Sequence, residues 1–313
     1  MTRAFVFPGQ GSQAVGMGRA MADASAEARS VFATVDEALG ERLSDLIFEG
    51  DAETLTLTEN AQPALMAVSM AALAVVREKS GRGLADLAAF VAGHSLGEYS
   101  ALAAAGALDV ADAARLLRLR GRAMQRAVPV GQGAMAALLG LDLDTAVAVA
   151  DEAAEDQVCT AANDNAEGQV VVSGHRQAVE RAVSIAAAKG AKRSMLLPVS
   201  APFHCALMAP AAEAMRDALA GVAIARPAVP LIANVTAEPV DDPEDIRRLL
   251  VEQVTGRVRW RESVLAMKNR GVDELVELGA GKVLAGLARR IDRDLKARAI
   301  QTPEDADAFV AEL

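Results

Sequence analysis

A chain of 313 residues, 52% apolar and 24% charged, is long enough to bury a full core as one large domain or two modest ones. Its net charge of -10, with a single Trp and a single Tyr, argues against nucleic acid, which asks for a basic face and stacking platforms. Two cysteines, Cys159 and Cys205, give neither a disulfide framework nor metal-ligand spacing, and no apolar run approaches the roughly 18 residues that span a bilayer, so a cytoplasmic protein without a membrane partner is expected.

The first predicted element is a short strand in AFVF (4–7), with no signal-peptide core around it. FVFPGQGSQAVGMG then sets Gly9, Gly11 and Ala14 at the G-x-G-x-x-A spacing of a dinucleotide loop. That fingerprint also needs a second strand ending in an acid about 20 residues on, and residues 19–39 read as helix, so NAD is not expected. A tight turn carrying Gln10 toward a site fits better. Further apolar runs, LAAFVAG (87–93), MAALLGL (135–141), QVVVSG (169–174), SMLLPVS (194–200), VPLIANV (229–235) and DELVELG (273–279), alternate with stretches of helical period. Continuous rather than alternating apolar runs predict strands covered on both faces, hence an α/β fold.

LAAFVAGHSLGEYSALAAAGAL reads as strand, sharp turn and Ala-rich helix closed by Gly106. Its GHSLG satisfies G-x-S-x-G, in which the glycines permit a strained elbow that exposes the serine, and the next amide points at a developing oxyanion. Ser95 is therefore either a nucleophile, with Leu96 supplying that amide, or a serine in a glycine-bounded loop. A base must come from His94, His175 or His204. His94 adjoins Ser95 and tends to point away on extended backbone. His175 reads as a solvated turn residue. His204, in VSAPFHCALMAPAAEAMRDAL, stands where a strand gives way to a helix, and a helix N-terminus disfavours imidazolium; it is the best candidate by context, against a purely structural role.

The helix predicted over 110–127 carries Ala113, Leu116, Leu117, Met124 and Ala127 on one face, and Arg120 falls within it, while Arg115, Arg118, Arg122 and Arg126 take the opposite, solvated side. A buried guanidinium keeps its charge and requires an anion. The partner is either an internal acid or the carboxylate of a ligand. From Val128 to Val199 the order is strand, helix (142–155), strand, helix (176–189), strand, which predicts a small inserted subdomain, with 1–127 and 200–313 forming the larger body. GAGKVLAGL (279–287) lacks residues of a phosphate loop and is not read as one.

In order along nearly the whole chain, FVFPGQGSQ with VGMG, TENAQPAL, GHSLGEYSAL, RLRGRAMQ, GQGAMAALLG, NDNAEGQVVVSG, APFHCALM, IANVTAEPV, LVEQVTGRVRW and ELGAGKVL resemble the malonyl-CoA:acyl-carrier-protein transacylases of fatty acid synthesis. The resemblance implies a large α/β-hydrolase-like body with a parallel sheet and a small ferredoxin-like subdomain. It implies that Ser95 carries the malonyl group, that His204 is the general base, and that Arg120 pairs with the malonyl carboxylate. Gln10 and Leu96 would form the oxyanion hole, and the backbone carbonyl of Gln253 would orient the histidine. Gln62, Asn163, Asn165 and Phe203 would line the substrate cleft, with Phe203 and Leu96 of the malonyl-selective type. The partners implied are malonyl-CoA and an acyl carrier protein, with no cofactor, and the chain is expected to act as a monomer. Ala280 departs from the pattern, where proline is common, and should alter a turn only. An acidic carrier needs a local basic patch on this acidic chain. Candidates are Arg115, Arg118, Arg122 and Arg126; Lys189, Lys192 and Arg193; and Arg289, Arg290 and Arg293.

Overall fold

The computed structural model describes residues 1–313 and contains ten strands: β1 (Arg3–Phe7), β2 (Phe90–Gly93), β3 (Gly133–Leu139), β4 (Cys159–Ala166), β5 (Gln169–His175), β6 (Arg193–Leu196), β7 (Leu231–Ile232), β8 (Pro239–Val240), β9 (Glu274–Leu278) and β10 (Lys296–Ile300). The larger sheet has the order β10-β9-β1-β2-β7-β8, parallel except for β8, which returns antiparallel beside β7. Both its faces are covered. Along β1, Phe5 and Phe7 enter one core while Ala4 and Val6 enter another, packed around Trp260, Ile232 and Leu275. This is why the strand reads as an unbroken apolar run.

The smaller sheet, β4-β5-β3-β6, is antiparallel throughout and lies wholly within residues 133–196. Counted within the sheet, the strands stand 2-3-1-4 with one helix after the first and one after the third, the β-α-β-β-α-β arrangement of a ferredoxin-like unit. Three strands were expected here; the structure has four. The additional one, β4, has the sequence CTAANDNA and no apolar run to announce it. Asp164 within it is 1% exposed because it has partners elsewhere: its carboxylate accepts from Arg261 Nε at 2.9 Å, and its N donates to Val258 O at 2.9 Å. The strand β10, KARAI, also has no apolar run, because it is a sheet edge that is only partly buried before Ile300.

Residues 19–39 are helical, as Arg19–Ala24 and Ala26–Leu39. The helix Thr58–Ser80 is long and apolar enough to cross a membrane by length and composition, but 89% of its most apolar window is buried inside the protein, against the helices that surround it. Ala280 sits in the turn after β9, buried between Gly279 and Gly281, both with positive φ.

The helix Val110–Ala127 packs against the helices Ala26–Leu39, Thr58–Ser80 and Ala209–Ala220. So many neighbours cover part of its polar side as well. Arg118, expected in solvent, is 7% exposed, hydrogen-bonded to Asn60 and paired with Glu41. It is thereby removed from the candidate basic patch. His175 also departs from expectation: instead of a solvated turn, its Nδ1 accepts from Val158 N at 2.9 Å and ties the end of β5 to the start of β4.

Candidate active site

Strand β2 ends at Gly93, and only three residues separate it from the helix Gly97–Ala104. The turn is tight. A Cβ on Gly93 would lie 1.9 Å from Gly97 backbone, and one on Gly97 would lie 2.3 Å from Phe7 O. Ser95 between them has φ 53°, the left-handed region that costs a non-glycine residue about 1–3 kcal/mol. Asn234, just after β7, holds the bend: its Oδ1 accepts from Ser95 N at 2.8 Å, and its Nδ2 donates to Gly93 O at 2.7 Å. His94 turns away from the serine, as expected, to face Asn165 Oδ1 at 2.8 Å and the Trp260 ring.

His204 arrives from the segment after β6, also at positive φ (57°) and only 3% exposed. Its Nδ1 lies 2.9 Å from Gln253 O and 3.1 Å from Gly256 O. Both are carbonyls and can only accept, so Nδ1 carries the ring proton and Nε2 is left as an acceptor. Ser95 Oγ sits 2.7 Å from Nε2 and donates to it. Burial, reinforced by the Arg120 charge, pushes the His204 pKa down to about 3, which keeps the imidazole neutral. No carboxylate backs the histidine; two carbonyl oxygens do.

Arg120 is 1% exposed and lies within reach of the nucleophile: Nη2 donates to Ser95 Oγ at 3.2 Å. Its remaining partners are neutral amides, Gln62 Oε1 at 2.9 Å from Nη1 and Gln253 Oε1 at 2.8 Å from Nη2. It makes no ion pair with any acid of the chain. Of the two possibilities open from sequence, the internal salt bridge is absent and a cation faces the cleft.

That cleft, of about 470 Å³, lies between the two sheets. Ser95, Leu96, His204 and Arg120 form its floor, with Gln62 beside the arginine. Gln10, Phe203, Asn163 and Asn165 line it as well, Gln10 with its amide donating to Thr58 Oγ1 at 3.3 Å. Gln253 lies behind the floor, fully buried. All ten residues singled out from the sequence thus converge on one place. Sequence reasoning did not single out Gly256, Asn234 or Glu98. For Glu98 a signal existed: like Arg120, it is a charged side chain within an apolar helical stretch, GEYSALAA, and the structure buries it completely.

The candidate carrier-docking arginines and lysines divide. Arg115 pairs with Asp112, Arg122 with Glu59 and Lys189 with Glu152. Arg126, Lys192, Arg193, Arg289, Arg290 and Arg293 pair with no carboxylate, so these retain an uncompensated charge.

Residues 4–298 match the family model described as an acyl transferase domain. A malonyl CoA-acyl carrier protein transacylase of Bacillus subtilis is 46% identical over 99% of this chain and 96% of its own. One of Escherichia coli is 47% identical over 96% of each. The crystal structure of an acyl-carrier-protein S-malonyltransferase from Bartonella henselae superposes with a TM-score of 0.97 at 57% identity, covering 100% of this chain and 99% of that one. A malonyl-transacylase solved in complex with its type II PKS acyl-carrier protein gives 0.96 at 42% identity, with both chains fully covered. The chain belongs to the acyl transferase domain family, among the relatives that carry the malonyl transacylase name.

Proposed function

We propose that this protein transfers a malonyl group from malonyl-CoA to the phosphopantetheine thiol of an acyl carrier protein, through a malonyl ester on Ser95. The observation that carries the acyl specificity is Arg120: a buried cation, held by neutral amides, 3.2 Å from the nucleophilic oxygen. A carboxylate one methylene beyond the ester carbon falls within its reach and accepts two parallel hydrogen bonds from a guanidinium. Proximity to a bound carboxylate also holds the acyl chain in place for the incoming thiol.

The steps balance with groups the chain and its two thiol partners supply. His204 Nε2 takes the Ser95 proton as Oγ bonds to the thioester carbon. The oxyanion is received by the Leu96 amide at the start of the helix Gly97–Ala104, with Gln10 alongside. The carbon–sulfur bond breaks, imidazolium protonates the coenzyme A sulfur, and malonyl-Ser95 remains. The carrier thiol then gives its proton to Nε2 as its sulfur bonds to the ester carbon, the carbon–Oγ bond breaks, and the proton returns to Oγ. We therefore assign no cofactor, and place the reaction in the reducing cytoplasm that the two free, buried cysteines suit.

Incubation with malonyl-CoA alone should add one malonyl group to the intact mass, located on Ser95 by peptide mapping and discharged by holo carrier protein. Steady release of free malonate with no ester formed would mean a hydrolase on the same scaffold.

The pH profile gives a second check. His204 is neutral in the free enzyme because its pKa is lowered, so protonation removes activity only as pH falls through that lowered value. The kcat/KM of acylation, which reports the free enzyme, should hold its plateau through pH 6.5 and lose activity only well below it. An acid limb centred near 6.5 would show a solvated histidine instead.

A further inference from the structure

Glu98 stands on the first turn of the helix after the elbow and is fully buried, yet neither lines the cleft nor touches Ser95 Oγ or His204. One of its oxygens, Oε2, accepts from two donors that serve the site: Asn234 N at 3.0 Å and Gln253 Nε2 at 3.0 Å. Asn234 is the residue that braces the elbow through Ser95 N and Gly93 O. The Gln253 amide divides its two ends. Nε2 donates to Glu98 and, at 2.9 Å, to Ser95 O, while Oε1 accepts from Arg120 Nη2 at 2.8 Å. Turned end for end, the amide would set an NH2 group against a guanidinium, donor facing donor. The acceptors on the far side, Ser95 O and Glu98 Oε2, hold the NH2 end away and so keep Oε1 presented to Arg120.

We propose that Glu98 is a positioning residue for acyl-group selection: by accepting from Gln253 it fixes the amide end that holds Arg120, and so aims the guanidinium at the acyl carboxylate. This rests on the malonyl reading above. Acceptor geometry, not negative charge, is what the arrangement requires. Burial raises the Glu98 pKa to about 7, and a protonated carboxyl still offers a carbonyl oxygen to the two donors. A full negative charge there would compete with the acyl carboxylate for the same guanidinium.

The experiment compares transfer from malonyl-CoA and from acetyl-CoA to holo carrier protein by the full-length unmutated enzyme and its Glu98→Gln, Glu98→Asp and Glu98→Ala variants, each with a thermal melt. Glutamine keeps the acceptor and loses the charge; aspartate keeps the charge and withdraws the acceptor. Glu98→Gln should keep the malonyl-to-acetyl ratio of kcat/KM within about threefold, while Glu98→Asp lowers it by about tenfold or more, chiefly through a higher KM for malonyl-CoA. Glu98→Ala should behave like Glu98→Asp, and if it does not fold the Gln/Asp pair carries the test alone. The reverse order, aspartate active and glutamine impaired, would overturn the proposal in favour of a countercharge. Equal loss for both acyl groups in Glu98→Asp would overturn it in favour of a purely structural role. An unmutated enzyme without malonyl preference overturns the functional reading as well, and shows this before any variant is made.

Discussion

Ser95→Ala leaves no acyl-enzyme after exposure to malonyl-CoA, and transfer to the carrier falls on the order of 10^4-fold or more. The alanine side chain tolerates the elbow no worse than serine does, so the fold is kept and the loss is chemical. His204→Ala produces a loss of similar size, because a hydroxyl without its acceptor 2.7 Å away is a poor nucleophile. The pair acts as a unit: the double variant should be scarcely worse than either single one. Intact mass, transfer rate and melting temperature measured on the same preparations check all three statements. Substantial ester formation in Ser95→Ala would place the nucleophile elsewhere.

Arg120→Ala separates malonyl from acetyl. Removing the buried cation leaves an acyl carboxylate without its partner, a loss of about 3–5 kcal/mol, or roughly 10^2 to 10^4-fold in kcat/KM for malonyl-CoA. Acetyl-CoA brings no carboxylate, so its transfer persists or rises. The variant also strips a donor from Gln62 Oε1 and Gln253 Oε1, which should lower stability by about 1–3 kcal/mol. A melt therefore accompanies the kinetics, and the ratio of the two substrates, which a general loss of stability does not move, is the deciding number. Equal losses for both acyl groups would end the case for Arg120 as the reader of the acyl chain. The outcome of Glu98→Asp should resemble a weakened Arg120→Ala, since it acts on the same guanidinium through Gln253.

The course of the chain toward these residues was legible to different depths. The elbow was plain, because two glycines around a serine between an apolar run and a helix allow few other backbones, and the structure shows each glycine against neighbouring backbone. Arg120 was legible from helical period alone: a charge on the apolar face must meet something, and it meets the cleft. The period misled at Arg118. An ideal wheel has one wet side, whereas this helix is packed by several others, and Asn60, from the helix Thr58–Ser80, and Glu41, from just beyond the helix Ala26–Leu39, reach its polar side. Strand β4 was invisible for a related reason. Its Asn and Asp residues look like loop chemistry until Arg261 and Val258, nearly a hundred residues on, supply their partners.

By itself the sequence determined the alternation of buried strands and helices, the strained serine turn, and the presence of a cation where none can be solvated. These follow from local sterics and periodicity, which act over a few residues. Only the tertiary structure decided what that cation faces and which atom of His204 carries its proton. It also decided that Gln253, through one backbone carbonyl and both ends of one amide, touches the base, the nucleophile's residue, Arg120 and Glu98. Hydrogen bonds across sequence separations of 49 to 158 residues leave no local periodic trace, because each partner is ordinary in its own segment and acquires a role only when the chain closes around the cleft.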